Sequence, residues 1–162
     1  MFSRILVAVD GSINGRAALT EALAIVEDQG AQLRIVHVID RAPRSFGLIL
    51  PDLEAFADAA LDSGRRVLGE AEFVARDAGV AAEGVLAEMG RCPCPMSSKV
   101  LSEAEDWAAD LIVIGAPEHS GLRHHLAESV AEDVVRLAHV PVLVAHEAAQ
   151  AGRPLLAARA VA

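Results

Sequence analysis

DLIVIGAPEHSGLRHHLAESVAEDVVRL, residues 110–137, is the stretch on which the fold turns. Leu111, Ile112, Val113 and Ile114 run without polar interruption, the pattern of a strand covered on both faces. Gly115 follows as a turn, then a polar loop, then a helical run expected to open at Ser129 and close near Ala138. Ser129-Val-Ala-Glu132 has the form of a capping box, in which the serine oxygen accepts from the third helical amide and the glutamate reaches back. A helix start also exposes unpaired amides and a partial positive charge, which suits a phosphate. Capping by itself accounts for such a serine without any ligand. Glu118 and Glu128 stand where a phosphate-holding loop would want glycine.

The same grammar extends outward in both directions. Apolar runs at residues 5–9, 33–39, 84–87 with their neighbours, 111–114 and 140–145 read as five strands. Between them the spacing predicts four helices. The first begins at Ser12, carries Leu19, Leu23 and Val26 on one face and stops at Gly30. The second spans 52–78, with a stripe of Leu53, Phe56, Ala60, Val67, Ala71 and Val74, and ends at Gly79. The third covers 98–109 with Val100, Ala104 and Trp107 turned inward, and the fourth is the run from Ser129. Strands alternating with helices at this spacing indicate an α/β chain with a single open, doubly wound, five-stranded parallel sheet of the Rossmann-like kind, helices on both faces. Residues 41–51, 90–98 and the Ala- and Arg-rich stretch after His146 fall outside that skeleton, so the reading divides the chain into a domain of residues 1–146 and an extension of 147–162, disordered or helical.

Composition narrows the function classes. The chain has 162 residues, enough for one ordinary domain and too few for two. Its apolar fraction is 53% with only 3% aromatic and no tyrosine, so the core must be built from Ala, Val, Leu and Ile. A formal charge of −9, with Lys99 the only lysine, argues against a nucleic-acid partner. The first apolar run ends at Asp10, too short for a signal peptide, and no run approaches the roughly 18 residues of a membrane span. Cys92 and Cys94, separated by one proline, make no disulfide framework. A cytoplasmic protein without a membrane partner is expected.

In an open α/β sheet ligands bind beyond the carboxyl ends of the strands, where connections diverge to opposite faces. That rule selects Asp10 after the first strand, Val38 to Asp40 after the second, and Gly115 to Ser129 after the fourth. Asp10 precedes Gly-Ser, so it reads equally as a turn and cap residue. His119, His124 and His125 lack tight ligand spacing, and Cys92 and Cys94 have no second pair, so no metal site is assigned. No GxSxG is present, and no catalytic arrangement can be built.

ILVAVDGS at the start, IVHVID in the second strand, and ADLIVIG through HVPVLVAH at the end resemble the universal stress protein family, in order and spacing over residues 2–146. The resemblance implies an adenine nucleotide alpha hydrolase-like sheet and a homodimer formed by pairing the last strands, here through Val142, Leu143 and Val144. Under that pairing Leu143→Pro should disrupt assembly by deleting an edge amide. The nucleotide-binding branch carries Gly, two residues, Gly, nine residues, then Gly and Ser or Thr. It also uses an aspartate after the first strand, with apolar strand ends beside the adenosine. Carried over by position, Ala8, Val9, Asp10, Val38 and Ile114 match the adenosine part, and Gly115, Ser129 and the following Val130 the phosphate part. Glu118 and Glu128 take the second and third glycine positions.

A carboxylate about 4 Å from one phosphate charge costs about 4 kcal/mol at an effective dielectric near 20. A helix start returns only about 0.3–2 kcal/mol to a bound anion. The expectation is therefore a dimeric stress-response or regulatory protein with an impaired or absent ATP site, no cofactor and no metabolic chemistry. The alternative is ATP or AMP binding with Mg²⁺ on a glutamate, with slow hydrolysis. A nucleotidyl transferase or ligase would need a Ser-Gly-Gly loop or a His-x-x-His pair after the first strand, and Asp-Gly-Ser-Ile-Asn-Gly stands there. A phospho-accepting domain would need clustered acids at that place, where Asp10 stands alone.

Overall fold

The computed structural model describes residues 1–41, 52–89, 94–117 and 124–147. Its elements are β1 (Arg4–Ala8), α1 (Ile13–Gln29), β2 (Gln32–Ile39), α2 (Leu53–Asp77), β3 (Ala82–Glu88), α3 (Met96–Asp106), β4 (Leu111–Gly115), α4 (His124–Leu137) and β5 (Val142–Ala145). The strands form one parallel sheet in the order β3-β2-β1-β4-β5. Side chains alternate across it. Ile5, Val7, Leu33, Ile35, Leu111 and Val113 pack under α1 and α2, while Leu6, Val36, Ile112 and Ile114 pack under α3 and α4. Two apolar layers on one sheet explain why the strands read as continuous apolar runs. Among the described residues no helix is long and apolar enough to cross a membrane.

The punctuation expected for α1 is present. Ser12 is its N-cap, with Oγ accepting from the Gly15 amide at 2.9 Å, and Gly30 closes it in the left-handed conformation at φ 65°. Gly79, at φ 75°, follows the end of α2.

Four expectations are corrected. The stripe drawn along α2 is only partly its buried face: Ala71 is buried and Val67 packs against the core, but Leu53 and Val74 are 52% and 44% exposed, and Phe56 is exposed too. Gly64, Leu68 and Ala75 join Ala71 against the sheet. A side chain at Gly64 would stand 2.7 Å from Ile39 and 2.9 Å from Leu86, so close approach selects small residues there over large apolar ones. The third helix begins at Met96, earlier than position 98. The fourth begins at His124 and not at Ser129, which lies inside it. His124 to Glu128 contains no glycine or proline, and Leu126, Ala127 and Glu128 are good helix formers, so nothing delays the helix.

The last correction concerns the edge strand. Pro141 O accepts from Ile112 N and Ala145 O from Ala116 N, and Val142 is paired with Ile112. Backbone groups of a parallel strand alternate in direction, so the Leu143 amide points at β4. The outward amides are those of Val142 and Val144, and Leu143→Pro would break the internal ladder rather than the edge.

Two polar clusters fasten the layers. Half-buried Trp107 lies between Arg34, 4.8 Å from its ring centroid, and Arg4 at 5.9 Å, while Arg34 also pairs with Glu83 at 2.7 Å. At the start of α3, which has no side-chain cap, the fully buried Ser97 donates to Asp133 Oδ2 of α4 at 3.2 Å. The hydrogen bond from Arg136 holds the Asp133 carboxyl below its usual range, partly opposed by burial and assisted by Ser97. A carboxyl with a depressed folded-state pKa contributes stability above its unfolded value and loses it as pH falls through the folded one. The Tm gap between the native chain and Asp133→Asn should therefore be open at pH 7 and close toward pH 3. A gap of constant size would show that the charge contributes nothing.

Candidate functional site

β1 and β4 are neighbours in the sheet, yet the chain leaves β1 into α1 on one face and leaves β4 toward α4 on the other. This divergence opens the crevice where ligands bind in open α/β sheets. Ala8 pairs with Ile114 across it and with Val36 on its other side, and Val38 is level with Ala87 on β3. Ile114 is buried, and half-buried Ala8, Val38 and Val130 pack against the same core under α3 and α4. Val9 is buried on the opposite face, against the core under α1 and α2. The structure thus brings the apolar candidates to one end of the sheet, on both its faces.

The polar candidates are engaged locally. Asp10 is exposed, and its Oδ1 accepts from the Ser12 amide at 3.0 Å and from Ser12 Oγ at 2.6 Å. Ser12 Oγ in turn accepts from Gly15, so the carboxylate braces the cap of α1. A Cβ at Gly15 would collide with Asp10 Oδ1. On β2, His37 Nδ1 lies 2.7 Å from the Val9 carbonyl, tying the second strand to the exit of the first.

Gly115, the first glycine of the phosphate motif, has a packing role that needs no phosphate. A Cβ there would stand 2.6 Å from the carbonyl carbon of Asn14, 2.7 Å from its oxygen and 2.8 Å from the Gly15 nitrogen. The first turn of α1 rests directly on the end of β4 because nothing projects between them.

Asn14 was not singled out in the sequence and proves to be the residue that joins three elements. Its Nδ2 donates to the Ala116 carbonyl at 2.8 Å, and its Oδ1 accepts from the Glu147 amide at 2.9 Å. The exits of β4 and β5 are thereby fixed to the start of α1. An amide side chain in a first helical turn, beside a glycine that ends a strand, is the only signal the sequence offered.

Ser129 sits in the second turn of α4, where its amide belongs to the helix ladder and not to the open N-terminus. Glu118, His119 and Cys92 lie outside the described residues, and Cys94 is half-buried ahead of α3. Among the described residues no group of three or more His, Cys, Asp or Glu could hold a metal ion.

Comparison with known proteins places this geometry. The profile of the Universal stress protein family matches residues 1–146. Universal stress protein YxiE of Bacillus subtilis is 29% identical over 151 residues, covering 89% of this chain and 99% of its own. A universal stress protein family structure from Burkholderia pseudomallei is 34% identical with a TM-score of 0.67, covering 88% of this chain and 94% of that one. The universal stress protein of Archaeoglobus fulgidus in complex with dAMP is 25% identical with a TM-score of 0.65, covering 88% and 97%.

Proposed function

The chain belongs to the universal stress protein family, and from that premise we propose that it is a stress-response regulatory protein whose ATP site is impaired. The observation that carries this reading is the start of α4 at His124. The amide of Ser129, which the motif would offer to a phosphate, is committed within the helix. Glu118 and Glu128 occupy the two remaining glycine positions, and Asp10 spends Oδ1 on the α1 cap. At about 4 kcal/mol for a close carboxylate–phosphate pair, those acids outweigh what a helix end returns.

The second reading is adenine-nucleotide binding with Mg²⁺ bridging an acid to the phosphates, which draws on the dAMP complex of the Archaeoglobus fulgidus relative. Titration with Mg·ATP while following thermal unfolding separates the two. A ligand at one hundred times its Kd would add about 2.7 kcal/mol of stability. The expected curve is flat to millimolar Mg·ATP, and a saturable rise in Tm would favour the second reading.

Assembly as a homodimer through β5 belongs to the same proposal. Val144 on β5 is 39% exposed, and Val135 and Leu137 of α4 are exposed apolar residues. A bare apolar edge strand is a template for pairing.

A further inference from the structure

We propose that the groove between α1 and α2 is a second binding site, which takes an unbranched monocarboxylate of the medium-chain fatty acid class. It lies on the face of the sheet opposite Ala8, Val38 and Ile114. The groove holds a cavity of about 470 Å³, within the range of small-molecule sites. Buried Val9, Leu19 and Ala71 and half-buried Val67 line it. Phe73 and Val74, 63% and 44% exposed, carry the apolar wall out to solvent.

Gly69 points to an occupant from outside the fold. Glycine is the least favourable helix residue after proline, yet Gly69 stands inside α2. Its φ is not positive, and a Cβ there would meet nothing within 4 Å among the described residues. Neither backbone conformation nor packing explains the missing side chain, and the space it leaves belongs to the groove.

The chemistry along the groove is uneven. At one end a Cβ on Gly11 would stand 3.1 Å from Val67, so the turn after β1 closes against α2. Arg16 NH1 donates to the Gly11 carbonyl at 3.1 Å, which holds a guanidinium at that end. No carboxylate pairs with it among the described residues. Val74 lies two turns beyond Val67 on α2, about 10 Å away. A cation at the closed end and an apolar wall leading from it fit one carboxylate with a straight chain. Apart from Arg16 and Glu70 the lining side chains carry no polar atom, so the amides of a peptide would find few partners there. Glu70, one turn beyond Val67, limits the ligand to one charge, because a second carboxylate carried past it would be repelled.

Calorimetric titration of the full chain with octanoate, decanoate and decanedioate tests the assignment. Decanoate should bind more tightly than octanoate, by about fourfold for each methylene buried, and decanedioate more weakly than decanoate. Gly69→Phe fills the groove at an exposed helix position and should abolish decanoate binding with the melting transition retained. Arg16→Gln should weaken decanoate about threefold and leave 1-decanol unchanged. No saturable binding of either monocarboxylate, an affinity indifferent to chain length, or full decanoate binding by Gly69→Phe overturns the inference. Equal losses of decanoate and decanol in Arg16→Gln would overturn it too, by removing the carboxylate from that end. A sedimentation mass altered by Gly69→Phe would make a second copy the occupant in place of a fatty acid.

Discussion

Gly115→Ala is expected to lower stability by about 3 kcal/mol, the upper part of the range for overpacking, and Tm by about 6–12 °C. The added methyl would meet three backbone atoms of Asn14 and Gly15 at 2.6–2.8 Å, none of which can swing away as a side-chain tip could. Relief requires lifting the first turn of α1 off β4, which strains the Asn14 bonds to Ala116 and Glu147. The loss should appear without any ligand. A glycine required only for a phosphate would be silent in that measurement, because only the bound anion would feel the extra carbon. Gly69→Ala is the control: a Cβ there has nothing within 4 Å, and alanine in an exposed helix interior should add about 0.5–1 kcal/mol. Equal melting temperatures for native chain and Gly115→Ala would show that the helix does not rest on the strand.

That contrast shows which parts of the molecule could be read from sequence. Strand existence was legible because both faces of the sheet are covered, so residues 5–9 and 111–114 could hardly be anything else. Ser12 and Gly30 were legible because caps are local chemistry. The inward face of α2 was legible only in part, at Ala71, since large apolar residues attract the eye while the sheet also admits Gly64 and Ala75. The start of α4 was obscured by a serine that looks like a cap and lies in the second turn. For the site, the place of Asp10 just past β1 follows from the strand, but its bond to Ser12 and the bridging role of Asn14 depend on how three chain segments meet. Hydrogen-bond direction along β5 is equally invisible, because apolar patterning carries the side-chain alternation and says nothing of which amides are already paired.

Val144→Pro is expected to convert the assembly from dimer to monomer, and the parity of β5 makes it the informative substitution. In the ladder with β4, residues 141, 143 and 145 point inward, leaving the Val142 and Val144 amides on the open side. Proline at 144 removes an outward donor and places its ring where a second strand would approach, while the Ala145 carbonyl that receives Ala116 N keeps its place. Val144 is 39% exposed, so replacing it gives up little burial within the protomer. Leu143→Pro instead removes an inward donor and should lower Tm whether or not the protein assembles. Sedimentation of the two variants beside the native chain separates the effects. The native protein should run at twice the 17.0 kDa protomer mass, and Val144→Pro at the protomer mass with its melting transition retained. If native chain and Val144→Pro sediment alike at micromolar concentration, β5 is not the pairing edge. The apolar surface of Val135, Leu137 and Val144 would then require a different partner.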